Sequence, residues 1–247
     1  MSVVSQPVGR RERNKQDKLD RITSAARELF AVRGVDDVTT QEIADRADIG
    51  AGTLFLYAKT KGELLLLVQN SGYAKALEEG TTAASAISDP LEAVMSIVRP
   101  VVECNRTQVE NGRTYLREVV FGDPGAPHHG EALTLTIQTE EAIAAVLQRD
   151  TAMTPDRAAV LAHIVSAIMF LSMASTLNAE ADVDDIVAEI SGQVQVLLRA
   201  PGSSADSLNA SAARFSQSMP CSRACFCRTG RSFSRRWRST QASGLRT

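Results

Sequence analysis

"TTQEIADRADIGAGTLFLYAKTKGEL", residues 39–64, carries one spacing twice: Thr39 precedes Glu42 by three residues, and Thr60 precedes Glu63 by three. Threonine followed three residues later by glutamate suits a capping box, in which the two side chains satisfy backbone N–H groups left open at a helix start. Between the two starts there is room only for short helices. Ile43, Ala44 and Ala47 give the first its inward face, Asp48-Ile49-Gly50 breaks it, and a second over about 51–58 carries Thr53, Phe55 and Tyr57. A helix of two turns is marginal alone and must be held by neighbours. Two such rods joined by a tight turn and propped by longer helices form a helix-turn-helix, here about residues 40–59. Its second rod is a ridge that fits the major groove of B-DNA.

The flanks supply the props. Leu19, Ile22, Ala25, Ala26, Leu29 and Phe30 recur at helical spacing, and Gly34 stands where a left-handed cap ends such a helix. The compact head is therefore expected over 17–62. A fourth helix, opened by Thr60 and apolar through Leu64–Val68, runs over 61–79 and links head to body. Residues 1–16, with Arg10, Arg11, Arg13 and Lys15, are expected as a flexible basic arm.

Further along, alanine and leucine abound and aromatics make up 4% of the chain, which favours an all-α protein of about nine helices. Thr81–Ser88 is expected as a loop. Pro90 opens a helix that Pro100 should kink. Asn111–Phe121 reads as a short helix ended by Gly122-Asp123-Pro124-Gly125, and another covers about 130–149. Residues 158–177, "AAVLAHIVSAIMFLSMASTL", are apolar enough to suggest a membrane span. They contain His163, three serines and Thr176, and they stand alone, so a helix buried against others or at a subunit contact is the simpler reading. Ile186, Ile190, Val194 and Leu197 stripe a final helix over 183–199. The body is taken as 80–200.

From Pro201 the composition changes: forty-seven residues hold eleven Ser and eight Arg, with no Lys. Such a segment buries too little apolar surface to offset its ordering entropy, so 201–247 is expected to be disordered, and its abrupt composition resembles out-of-frame translation.

Charge follows the same division. Residues 1–61 hold eleven Lys/Arg against nine Asp/Glu, 62–200 eight against nineteen, and 201–247 eight against one. A basic head on an acidic body presents one end to a polyanion. The first eighteen residues are polar with no apolar core, so no secretory leader is expected and the bacterial cytosol, in association with the nucleoid, is the default. Cys221, Cys225 and Cys227 lack zinc-ligand spacing, and no metal or cofactor is expected.

Residues 17–68 resemble the N-terminal domain of the tetracycline-repressor (TetR/AcrR) family of bacterial regulators. The resemblance rests on "ITSAARELFAVRG", "TTQEIADRADI" and "GTLFLYAKTKGEL". It implies that Thr40, Tyr57 and Lys61 touch phosphates while Ala51, Gly52, Thr53, Phe55 and Leu56 face the groove. Gly50 takes the place of the Ser that often caps the reading helix, and Ala51 that of a frequent Lys. Leu54, by periodicity, is core. The resemblance further implies a homodimer through about 156–178 and 183–199, and a body cavity for a small-molecule effector.

The expected function is a one-component transcriptional regulator, a repressor released from a near-palindromic operator by its ligand. Pro100 marks the expected wall of the cavity, with Met95, Cys104, Tyr115, Met169 and Phe170 as lining. His128 and His129, beside a Pro/Gly loop, are placed in solvent. The alternative is a DNA-bound regulator controlled by a protein partner instead of a ligand. An enzyme would need convergent groups, and Glu118, His163 and Cys104 fall on different helices.

Overall fold

The computed structural model describes residues 9–199; the expected disordered tail and the first eight residues of the arm lie outside the described residues. Among the described residues nine α-helices follow one another without a strand: α1 Arg10–Arg33, α2 Thr40–Arg46, α3 Ala51–Leu54, α4 Lys61–Ala84, α5 Pro90–Arg106, α6 Val109–Phe121, α7 Pro127–Leu147, α8 Pro155–Ala174 and α9 Val183–Arg199. The all-α expectation holds.

α1 starts earlier than the sequence pattern suggested. Arg10 to Gln16, expected as arm, form its first turns beyond Gly9. Arg, Glu, Lys and Gln are good helix formers and nothing between them breaks the helix, so it extends past its own apolar stripe. At the other end Gly34 adopts φ 78°, and its N–H caps Phe30 O at 2.9 Å. A side chain would be strained in that conformation.

α1 to α4 make the head. Ile22, Ala26, Phe30, Ile43, Ala44, Leu54, Leu64 and Leu65 are buried within it, each large aliphatic or aromatic side chain contributing about 1.5–3 kcal/mol of hydrophobic stabilisation. In the body, α4 packs most extensively on α5, α7 lies against both α4 and α8, and α9 covers α5 and α8. The first half of the expected loop at 81–88 is helix, since α4 runs on to Ala84 through small residues that do not stop it. Pro100 sits inside α5, which remains helical through to Arg106.

α8 is long and apolar enough to cross a membrane by length and composition, yet 44% of its apolar window is buried in this fold. The expected burial against other helices holds for one side. Ala158, Leu161, Ala162, Val165, Met169 and Met173 face the core, while Val160 and Leu171 stand 59% and 73% exposed on the other side, with Ala167 between them.

Candidate nucleic-acid interface and body cavity

The first expected capping box is present. Thr39 Oγ1 accepts from the Glu42 N–H at 3.2 Å, and the Glu42 carboxylate accepts from the Thr39 N–H at 2.8 Å. Arg33, at the end of α1, donates to the same carboxylate at 2.9 Å. That guanidinium and the Thr39 donors hold the Glu42 carboxyl at about 2. The second box is incomplete. Thr60 Oγ1 does accept from the Glu63 N–H at 3.0 Å, but the Glu63 carboxylate accepts from the N–H of Lys59, one residue before the cap, at 2.7 Å. Both ends of the reading segment are thereby pinned.

Between the caps the chain turns at Asp48, which takes φ 53°, a left-handed conformation that Asp tolerates better than most residues. α3 is shorter than the expected 51–58. After Leu54 the bonds tighten to Leu56 N–H with Thr53 O at 3.1 Å and Tyr57 N–H with Leu54 O at 2.9 Å. Gly50 precedes α3 without a side-chain cap.

The segment divides its side chains between the interior and solvent. Leu54 is 1% exposed and anchors the ridge, whereas Phe55 is 47% and Leu56 83% exposed. Gly52 is exposed, and Ala51, Thr53, Thr40 and Tyr57 are half-buried. Tyr57 Oη donates weakly to Lys15 O at 3.4 Å. Lys61 is occupied differently from the expectation: its ammonium donates to Val35 O and Asp36 O, both at 3.0 Å, and ties the α1–α2 loop to the start of α4.

The expected pocket moves. A cavity of about 780 Å³ lies among α6, α7 and α8, within the size range of small-molecule sites. Leu116, Val119, Val120, Leu133 and Phe170 give it an apolar wall, Arg113, Glu140 and His163 bring polar groups, and Asp36 of the head reaches its edge. No residue of α5 lines it, so Pro100 is not its wall. Of the five expected lining residues only Phe170 is in place. Met169 faces the core on the other side of α8, and Met95 and Cys104 are partly buried elsewhere. Tyr115 is buried, its hydroxyl donating to Asn70 Oδ1 at 3.0 Å and its ring stacked on Tyr73 with centroids 6.2 Å apart.

The two histidines are not in solvent. His129 is buried with Nε2 3.1 Å from Val119 O, and His128 sets Nε2 3.1 Å from Tyr57 O. His163 pairs with Glu140 at 3.0 Å, and burial pushes the Cys104 thiol up, away from a reactive thiolate. Among the described residues no cluster of metal-ligating side chains occurs.

α2 and α3, joined by the turn at Asp48, form a helix-turn-helix, an arrangement found in DNA-binding regulators. Residues 22–68 match the family described as "Bacterial regulatory proteins, tetR family". That match covers the segment from α1 into α4. Solved structures share the fold: a TetR transcriptional regulator from Rhodococcus sp. RHA1 (16% identity, TM-score 0.59, covering 76% of this chain and 100% of that one), the TetR-family repressor FadR from Thermus thermophilus in complex with lauroyl-CoA (24%, 0.58, 73% and 92%), and a TetR-family regulator from Syntrophomonas wolfei (15%, 0.54, 74% and 95%). No curated protein sequence matches the chain.

Proposed function

We propose that this chain is a homodimeric, cytosolic repressor that binds a near-palindromic operator and is released by a small-molecule effector. The observation that carries DNA binding is the ridge itself: a segment fixed by caps at both ends keeps Leu54 inside while presenting Phe55 and Leu56 to solvent. An isolated domain gains nothing from exposing those side chains; thymine methyls in a major groove give them a partner. Gly50, Ala51, Gly52 and Thr53 share the groove, with Gly52 letting the backbone approach. Thr40 and Tyr57 reach phosphates at its edges, and Lys61 adds charge nearby with its remaining N–H.

Dimerisation through α8 and α9 is supported by the apolar side chains left in solvent there: Val160 and Leu171 on α8 and Val196 on α9. A two-fold dimer sets its two reading ridges one helical turn of DNA apart, about 34–36 Å, or a multiple of it. The cavity supports an effector with an apolar body, and the similar fold of Thermus thermophilus FadR is seen with lauroyl-CoA. Release requires the effector to bind one arrangement of the heads better than the other, and the response is bounded by that difference.

The test is selection of bound sequences from random double-stranded DNA by the full-length protein, then repetition with acyl and other apolar small molecules. A recurring inverted repeat that is lost on adding an effector is expected. Recovery of no preferred sequence refutes the reading.

A further inference from the structure

We infer that the cavity wall grips the head through two side-chain clamps, Asn111 and His128, and that these positioning residues set the angle at which the reading ridge meets DNA. The inference goes beyond the proposed function by locating where body and head are joined.

Asn111 lies in the first turn of α6 and is 3% exposed. Its Nδ2 donates to Phe30 O at 2.9 Å, and its Oδ1 accepts from the Val35 N–H at 2.7 Å. The side chain thus bridges the break that Gly34 makes at the end of α1, satisfying one backbone acceptor and one donor with both halves of its amide. The loop it holds is the one whose Val35 and Asp36 carbonyls accept from Lys61, and whose Asp36 edges the cavity.

His128, in the first turn of α7, reaches the other end of the head. Tyr57 O is an acceptor only, so His128 Nε2 must carry the proton and donate at 3.1 Å. Its Nδ1 faces Glu131 Oε2 at 3.8 Å. Position on α7 is fixed by Asn70 of α4, which is 1% exposed and donates to both His128 O and Glu131 Oε2 at 3.0 Å while accepting from Tyr115. Tyr57 directly follows the exposed pair Phe55 and Leu56, so the clamp acts at the foot of the ridge.

The clamps belong to consecutive helices that also wall the cavity, α6 through Thr114, Leu116 and Val119, and α7 through Leu133, Thr136 and Glu140. A shift of the α6–α7 pair therefore pulls on the α1–α2 loop and on the ridge together. Two tethers at separate points fix an orientation; one would leave a swivel.

The test compares His128→Ala, His128→Gln and Asn111→Ala with the wild-type full-length protein by amide hydrogen exchange and by binding to the selected operator. In His128→Ala the Tyr57 and Ala58 amides, both bonded to Leu54 O, should exchange at least tenfold faster, with α5 and α8 unchanged. Operator affinity should fall about tenfold at constant salt slope, because no phosphate contact is lost. His128→Gln, which keeps a donor, should recover most of both. Asn111→Ala should accelerate α2 and reduce operator affinity in the same way. Unchanged exchange and affinity in both alanine variants overturn the inference, as does acceleration spread evenly over α5 and α8, which marks a general loss of stability. Should the wild type select no operator, the proposed function fails while the exchange arm still decides the clamps.

Discussion

Arg33 at the end of α1 donates to Glu42 in the first turn of α2 across 2.9 Å, closing the capping box from outside. Three donors on one carboxylate explain why it stays ionised down to about 2 from an ordinary 4.5. A carboxyl with a depressed folded-state pKa contributes stability that is present above the unfolded value and lost as pH falls through the folded one. The head should therefore lose stability between about pH 4.5 and 2 as this group takes its proton. Glu42→Gln should flatten that part of the pH profile of thermal unfolding while lowering the melting temperature at neutral pH. An identical acid limb in the variant would show that the pair contributes nothing there.

Leu54 and Leu56 offer a matched contrast within one short segment. Leu54 is buried, so Leu54→Ala should cost about 2–5 kcal/mol of stability. Leu56 is exposed, so Leu56→Ala should leave the unfolding midpoint within about 0.5 kcal/mol yet weaken operator binding. Thr53→Ala should cost about 1–3 kcal/mol of discrimination at one base position. Urea melts and competition binding against bulk DNA separate these outcomes. Equal loss of stability in both leucine variants would mean the ridge is not an outward-facing reader.

These contrasts were largely legible in the sequence. Local chemistry sufficed for the head because its determinants are close in sequence: Thr39 with Glu42, Gly34 after Phe30, and the spacing of Ile43, Ala44 and Leu54. The cavity was not legible. Periodicity shows that α5, α6 and α8 each have an apolar face but not which faces are left apart, so Met95, Cys104 and Tyr115 were indistinguishable from true lining residues. Val120, Leu133 and Glu140, which do line it, carry no local signal beyond lying on amphipathic helices. His128 and His129 were misplaced for a related reason. A Pro/Gly loop usually lies in solvent, but here it delivers α7 onto Tyr57 and Val119. The shifted partner of Glu63 shows the limit even of a local motif: the backbone donor moves by one residue, and the carboxylate accepts from Lys59 instead of Thr60.

Lys61 separates structural from electrostatic work. Two of its N–H groups are taken by Val35 O and Asp36 O, and the side chain is half-buried. Lys61→Ala should lower head stability by about 1 kcal/mol, the scale of a typical hydrogen bond in a partly solvated setting. A full phosphate contact would also reduce the salt slope of DNA binding by about one; with the ammonium shared among carbonyls the reduction should be clearly smaller. Titrations at several salt concentrations measure it. A full unit of slope with unchanged stability would assign the lysine to DNA alone.

Leu171 offers a test of the proposed dimer. It is 73% exposed on the same side of α8 as Val160, and Val196 on α9 is 70% exposed. Covering apolar area of this kind is worth about 25 cal/mol per Å², so a second copy of the chain gains from docking there. A glutamate at the centre of such a contact would be buried unpaired and opposite its own symmetry mate, at a cost of several kcal/mol. Leu171→Glu should therefore convert the proposed dimer to monomer in sedimentation equilibrium at micromolar concentration, with helical content retained because the side chain stands largely in solvent. Operator binding should fall far more than the head's own stability, since each half then binds one half-site alone. Leu171 and Ala167 also edge the cavity, so a small conservative change, Leu171→Ala, is the control: it removes apolar area without adding charge and should weaken the dimer only partly. A dimer unaffected by the glutamate would place the subunit contact elsewhere on the body.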